Sequence, residues 1–327
     1  MIKAEQVQSF MNRAGKGKIP FLFGLDYEME NGFFIERPLE QQEILWRVGN
    51  ATNVPAEDTS ATATAASNGT FFKHRNLSFE EYRSKFHFVQ EQLMLGNSFL
   101  ANLTIKTPLE TNYSFEEIFR RSNSPYALLI PDTLVCFSPE RFVKISDGRI
   151  SSNPMKGTIR ESEPDAAQLL LNDYKETAEH FTIVDFIRSE LSRVATDVTV
   201  EKLRYIDKLH TSNGTILQMS SLISGKLGTE KWGDVFFKIL PAGSISGAPK
   251  RSTLAILKKA EGHPRGFYSG VFGYYDGTTL DSAVMIRYIE QTEDGLFFRS
   301  GGGITINSSC LKEYNEVLEK IYLPFVS

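Results

Sequence analysis

Arg287 lies in an apolar run, Ala283-Val284-Met285-Ile286-Arg287-Tyr288-Ile289. A guanidinium carried into a core by such a run must meet an anion. At a sheet edge the same run would leave Arg287 in solvent, and the strand alone leaves both readings open. Shortly downstream, Ser300-Gly301-Gly302-Gly303-Ile304 places glycines after a predicted strand. There, backbone N–H groups reach a ligand with no Cβ in the way, although a glycine triplet is also an ordinary turn. The segment Pro241-Ala242-Gly243-Ser244-Ile245-Ser246-Gly247-Ala248-Pro249-Lys250 is a glycine-rich turn running into a helix, with Pro249 near its first position. It could hold an anion at a helix N-terminus, but it lacks the G-K-[ST] ending of a nucleotide-binding P-loop.

Two carboxylate pairs, Glu176 with Glu179 and Glu313 with Glu316, stand at i,i+3 on predicted helices and so share a face. Hard oxygen ligands at that spacing suit Mg²⁺, and a solvated helix face carries the same pattern. Lys320 extends the second face from Glu316 at i+4, which fits a salt bridge or a substrate contact.

The elements that must position these groups alternate between short strands and helices. Phe21 to Leu25 and Gly32 to Glu36 read as extended segments, and the small, polar run from Ala51 to Thr70 as a long loop or linker. Ser78 to Leu95 opens with Ser78 and Glu81 as a capping box, spaces Tyr82, Phe86, Val89 and Leu93 along one face, and ends at Gly96. Strands are predicted at Ser98 to Ile105, Tyr126 to Ile130, Leu134 to Phe137 and Phe142 to Ile145. More are predicted at Ile216 to Ile223, Gly270 to Tyr275, Ala283 to Ile289 and Phe297 to Arg299. Helices are predicted from about Glu176 to Val194, Pro249 to Ala260 and Leu311 to Tyr322. The pattern is α+β with much antiparallel sheet, and no repeat is visible.

Composition narrows the function. With 327 residues, 41% hydrophobic and 23% charged, the chain has enough apolar material for one large core or two ordinary domains. Net charge of -4 and the absence of a dense Lys/Arg tract give no footprint for nucleic acid, so a small-molecule ligand is the default. Cys136 and Cys310 form neither a disulfide framework nor a metal-ligand spacing. No apolar stretch reads as a signal peptide or membrane span, so a cytoplasmic location is expected.

In order along the chain, these segments resemble the chorismate-binding family of anthranilate synthase component I, aminodeoxychorismate synthase component I, and the isochorismate and salicylate synthases. The resemblance runs from about Phe79 to Lys320. It rests on Ser138-Pro139-Glu140, Pro154-Met155-Lys156-Gly157-Thr158, Ala178-Glu179-His180 followed by Ile183-Val184-Asp185 and Arg188, and the Pro241 to Lys250 turn. Tyr268 through Gly273-Tyr274, Ile286-Arg287, the glycine triplet with Ile304, and Glu313-Tyr314-Asn315-Glu316 complete it.

The resemblance implies a layered sandwich of two antiparallel β-sheets with outer helices. It further implies one domain over 1–327, with a shortened amino-terminal part at 1–75 and a catalytic region at 76–327. By position, Ser244, Tyr268, Arg287, Gly301, Gly302, Gly303 and Lys320 would bind substrate. Glu176, Glu179, Glu313 and Glu316 would hold Mg²⁺, which would neutralise a ring carboxylate.

On its own Lys156 reads as a turn lysine. In the family its position is usually lysine in aminodeoxychorismate synthases and alanine in anthranilate and isochorismate synthases. The resemblance therefore implies a nucleophilic Lys156 that attacks C2 of chorismate and expels the C4 hydroxyl, which Glu140 would protonate; ammonia then attacks C4 and expels the lysine.

Three departures bear on this. Ser244 stands where threonine is common and keeps the hydroxyl. Leu100 stands where isochorismate synthases carry a lysine base, which argues against water addition, while Asn102 matches the aminating members. Gln218 replaces a frequent histidine, which favours an enzyme that stops at the amino-chorismate stage. Cys136 is not in a nucleophile elbow and no glutaminase triad is apparent, so ammonia is expected from a separate glutamine amidotransferase. No tryptophan-binding element and no lyase module are recognised. The alternatives are C2 amination with pyruvate loss, as in anthranilate synthase component I, and a non-catalytic chorismate-binding subunit.

Overall fold

Why do so many short apolar segments fold together here? Each is long enough to cross one sheet, and all of the pairing is antiparallel. The computed structural model describes residues 1–55, 69–211 and 214–325. Among these, a ten-stranded sheet and a nine-stranded sheet carry the chain.

The first sheet runs from Ile2–Lys3, Asn31–Glu36 and Phe21–Leu25 through Val271–Tyr275, Leu280–Val284 and Arg141–Ser146 to Arg149–Ser152, Gly214–Lys226 and Met155–Arg160. Thr196–Thr211 lies along the other side of Gly214–Lys226. The second sheet runs from Gly247–Ala248 through Leu100–Thr111, Gly295–Ile304, Tyr288–Thr292, Leu134–Ser138 and Tyr126–Ile130 to Leu45–Val48 and Ala51–Thr52. Leu22, Phe272 and Ala283 of the first sheet pack with Trp46, Leu128, Cys136 and Tyr288 of the second in one buried cluster. The facing sheets thus share a core, as in a sandwich.

Helices cover the outer faces. Ala4–Gly17 and Trp232–Ile239 bury Val7, Met11, Val235 and Phe236 against the first sheet. Phe79–Met94, Lys250–Glu261 and Cys310–Glu319 cover the second. Phe79–Met94 starts where its sequence says it must. Ser78 accepts from the Glu81 N–H, the Glu81 carboxylate accepts from the Ser78 N–H, and Tyr82, Phe86, Val89 and Leu93 are the buried face. Such a cap is worth about 1 kcal/mol.

Three expectations are corrected. Ala283 to Ile289 is two strands, not one: Leu280–Val284 belongs to the first sheet and Tyr288–Thr292 to the second. The apolar run reads as continuous because both of its ends are buried, and burial alone does not show that the chain changes sheets between them. The glycine triplet lies inside Gly295–Ile304, with Gly301, Gly302 and Gly303 opposite Thr104, Leu103 and Asn102, and not in a turn. Lys156 sits on the edge strand Met155–Arg160 and not in a turn. Within the expected loop from Ala51 to Thr70, Ala51–Thr52 is a short strand, and residues 56–68 fall outside the described residues.

Several elements were not anticipated from the sequence, among them Thr196–Thr211, Ala166–Asn172, Ala4–Gly17 and Phe115–Arg121, although Ser114 and Glu117 form a capping box at the start of the last. Cys136 and Cys310 are free thiols. Among the described residues no helix is long and apolar enough to cross a membrane.

Candidate active site

Two neighbouring passages of the chain between the sheets each carry a charged residue. Ser138-Pro139-Glu140 leads from Leu134–Ser138 to Arg141–Ser146, and Met285-Ile286-Arg287 leads from Leu280–Val284 to Tyr288–Thr292. The two passages are hydrogen-bonded side by side: the Phe137 N–H donates to the Arg287 carbonyl at 3.0 Å and the Val284 N–H to the Glu140 carbonyl at 3.1 Å. Arg287 takes a left-handed φ of 53°. That conformation disfavours a residue with a Cβ and persists where the surroundings over-determine it. Its guanidinium is half-buried and donates to the Tyr322 hydroxyl at 3.4 Å.

Glu140 is the chemical centre of the first passage. Ser244 donates its hydroxyl to Glu140 Oε1 at 2.7 Å, which joins the Gly243–Ile245 turn to the passage. Burial pushes the Glu140 pKa up, while the Ser244 hydrogen bond and the positive charges of Lys156, Arg287 and Lys320 pull it down. Four of the residues expected at the site thus lie within hydrogen-bond or charge range of one carboxyl.

Lys156 reaches the site from the first sheet. Its strand is bulged between Lys156 and Thr158, and Gly157 there has a φ of 67°. A Cβ on Gly157 would lie 2.7 Å from Leu170 Cδ1 and 3.0 Å from Glu176 Oε2. Glycine therefore serves both the bulge and the close approach of helix Tyr174–Leu191, which carries Glu176 and Glu179. The Lys156 ammonium lies 3.5 Å from Glu179 Oε2, and 3.7 Å from where a Cβ on Gly303 would sit. The glycine strand of the second sheet and the lysine of the first therefore face each other.

Lys320, at the end of helix Cys310–Glu319, donates to the Gly301 carbonyl at 2.8 Å and pairs with Glu316 Oε1 at 2.7 Å. Burial and the neighbouring charges of Arg287 and Lys156 lower its pKa, and Glu316 opposes this. Glu313 is 3% exposed, and its Oε2 would lie 3.7 Å from a Cβ on Gly302. Tyr268 is buried in the inter-sheet core, its ring 5.8 Å from that of Tyr288; burial pushes its hydroxyl up to about 12, with Arg265 and Arg287 opposing. Asp185 and Arg188, quoted in the same motif as Glu179, pair with each other at 2.8 Å on an exposed face away from these groups.

The four glutamates come from two helices that flank the glycine strand and Lys156. Among the described residues no three His, Cys, Asp or Glu side chains gather as a metal-ligating set. Lys156 and Lys320 supply positive charge to Glu179 and Glu316.

Some residues that hold the site were given no role by the sequence reading, although His180 and Lys250 lie in motifs it quoted. His180 is fully buried, its Nε2 is 2.7 Å from the Ser221 hydroxyl, and burial pushes its pKa down to about 4. Lys250 bridges to Glu190 at 2.5 Å and donates to the Ile239 carbonyl, which ties helix Tyr174–Leu191 to the turn that bears Ser244. Arg265 is 1% exposed against Glu261. For Arg265 the signal available was an opposite charge four positions before it, at the end of helix Lys250–Glu261, and surface pairs give that signal just as often.

A carboxyl, an amine, a cationic pair and open glycine backbone, held between two sheets, make a site for acid–base and nucleophilic chemistry on a small anionic molecule. The chain belongs to the chorismate binding enzyme family, whose pattern it matches over residues 16–324. It is 47% identical over 320 residues to an "Uncharacterized PabA-like protein" of Haemophilus influenzae, covering 96% of this chain and 94% of that one. It is 29% identical to aminodeoxychorismate synthase component 1 of Salmonella typhimurium, over 75% of this chain and 57% of that one. It is 30% identical to anthranilate synthase component 1 of Mycobacterium bovis, over 76% of this chain and 52% of that one. The chain thus spans little more than half of these two named enzymes.

The fold is that of solved chorismate enzymes. The menaquinone-specific isochorismate synthase from Escherichia coli superposes with a TM-score of 0.75 at 15% identity, covering 98% of this chain and 81% of that one. Anthranilate synthase component I from Streptococcus pneumoniae gives 0.68 at 20%, covering 92% and 88%.

Proposed function

We propose that this chain aminates chorismate at C4 to give 4-amino-4-deoxychorismate, using ammonia from a separate glutamine amidotransferase. The observation that carries the proposal is the position of Lys156. It is an amine at a strand bulge, facing the glycine strand within 3.7 Å of the Gly303 Cβ position and in charge range of Glu140. Lys156 Nζ, having given a proton to solvent, attacks C2, the ring double bond shifts, and the C4 hydroxyl leaves as water on taking the Glu140 proton. Ammonia then forms the C4–N bond, the double bond returns, and Lys156 leaves as the free amine. The raised pKa of Glu140 keeps a proton available for the leaving oxygen.

Arg287, Lys320 and the Gly301 to Gly303 backbone supply positive charge and close approach for the substrate's carboxylates. At Gly302 and Gly303 an added Cβ would meet protein only at 3.5 Å or beyond. Packing does not require glycine at these two positions; access for a ligand does. Glu179 and Glu316, with Glu176 and Glu313 behind them, are hard donors suited to Mg²⁺, which would compete with the two lysines for their carboxylates. When bound, Mg²⁺ neutralises a ring carboxylate and strengthens binding of the dianion.

The second reading, C2 amination, is favoured by the 30% identity to anthranilate synthase component 1. Both readings are tested by incubating the protein with chorismate and Mg²⁺ without ammonia and measuring intact mass, with Lys156→Ala as control. A covalent adduct lost in the control is expected. Absence of the adduct, with anthranilate formed on adding ammonium, assigns the chain to C2 amination. Ligand binding with no turnover, even with an amidotransferase present, assigns it to a non-catalytic subunit.

A further inference from the structure

Arg265 is a fully buried guanidinium outside the substrate-facing set, and all of its N–H groups are used. Nε donates to Glu261 Oε2 at 2.9 Å; Nη1 donates to the Ile245 carbonyl at 2.8 Å and to the Ser269 hydroxyl at 3.3 Å. Nη2 donates to the Asn102 carbonyl at 2.6 Å and to Glu261 Oε1 at 2.7 Å. Each acceptor outside the ion pair adjoins a site residue. Ile245 follows Ser244, Ser269 follows Tyr268, and Asn102 is the register partner of Gly303. Glu261 adds a further tie, accepting the N–H of Thr104, the partner of Gly301, at 3.0 Å.

We propose that Arg265 is a positioning residue, whose forked guanidinium sets the Ser244 turn, the strand opposite the glycines and the Tyr268 loop in one alignment. The chemistry favours this over a purely structural role. A buried ion pair is a weak source of stability, since apolar residues of similar volume replace such pairs at little cost. What apolar residues cannot do is bond three separate segments in fixed directions. Lysine carries the same charge but presents its donors from one point, so it cannot span the Ile245 and Asn102 carbonyls together with both Glu261 oxygens. Ser269, held by the same fork, has a left-handed φ of 66°. A conformation of that kind lasts where its surroundings fix it. The inference rests on the site described above and not on which ring carbon is aminated.

The test uses Arg265→Lys and the charge-free pair Arg265→Met with Glu261→Met, each made with and without Ser244→Ala. Chorismate consumption is followed with Mg²⁺ and ammonium, whatever the product, alongside chorismate binding by calorimetry and thermal unfolding. The Met/Met variant is expected to fold, because no unpaired charge is left behind, and to lose about a hundredfold in kcat, the scale of a misplacement of ~1 Å. In the Ser244→Ala background its loss in kcat is expected to shrink, because the Ser244 contact is already gone. Arg265→Lys is expected to fold and to lose kcat similarly. A folded Arg265→Lys or Met/Met variant with kcat and KM within about twofold of the unchanged protein overturns the proposal, as do losses that add fully with Ser244→Ala. If the unchanged protein consumes no chorismate, the amination reading fails by itself. Positioning is then judged on chorismate affinity, with a loss of about tenfold supporting it and unchanged affinity overturning it.

Discussion

The two lysine–glutamate pairs of the site are built from the same residue types and held very differently. Lys320 is anchored, at 2.8 Å on the Gly301 carbonyl and 2.7 Å on Glu316, at the end of a helix packed on the glycine strand. Lys156 stands on a bulged edge strand, 3.5 Å from Glu179. A short hydrogen bond to a backbone carbonyl holds an ammonium in one place, whereas Lys156 has an ion pair and no backbone carbonyl contact among the described residues. The contrast fits the proposed roles, Lys320 in binding and Lys156 in chemistry.

The largest effect should come from exchanging their fates. Lys156→Ala is expected to lower kcat for chorismate amination by at least about a thousandfold, as loss of a nucleophile does, with chorismate affinity little changed. Lys320→Ala should mainly raise KM. Steady-state kinetics with calorimetric binding separates the two, and a KM effect from Lys156→Ala would erase the distinction.

Next in size is Glu140→Gln, expected to cost roughly 10²- to 10⁴-fold in kcat as the loss of a general acid. In the unchanged protein the rate should fall as pH rises through the raised pKa of Glu140, because the proton for the leaving hydroxyl is then lost. Ser244→Ala removes a hydrogen bond that lowers this pKa, so a pH profile should show that limb moving upward.

A smaller effect sharpens the comparison from the glycine side. Gly303→Ala should weaken chorismate binding about tenfold, the worth of one hydrogen-bonded approach, while the melting temperature stays close to its starting value. A protein that melts much earlier but binds normally would make Gly303 a packing residue.

The smallest effect concerns His180, which follows Glu179 on helix Tyr174–Leu191. Its folded pKa of about 4 lies below the ordinary 6.5, so the unfolded chain takes up a proton first. Stability is therefore full above the ordinary value and declines as pH falls toward the folded one, by up to about 1.4 kcal/mol per pH unit. Denaturant titrations across that window should show the slope, and His180→Gln should flatten it.

Much of the architecture was legible wherever local rules act. The capping box at Ser78, the buried stripe of Phe79–Met94 and the strand Tyr126–Ile130 lie where periodicity places them. The candidate site was legible as a set of motifs but not as a geometry. Arg287 shows why: the hydrophobic run around it is real, yet its halves are buried by different sheets, and a left-handed residue marks the change. Arg265 and Glu261 were illegible because a pair at i,i+4 reads the same exposed or buried.

By itself the sequence determined the antiparallel α+β character, the start of helix Phe79–Met94, and which residue types were available for chemistry, because these follow from periodicity, capping and side-chain identity. Only the tertiary structure decided that Glu140 and Arg287 share adjacent passages between sheets, that Lys156 faces the glycine strand beside Glu179, and that Lys320 bonds the Gly301 carbonyl. Those outcomes depend on contacts between residues far apart in the chain, and no local spacing encodes such distances.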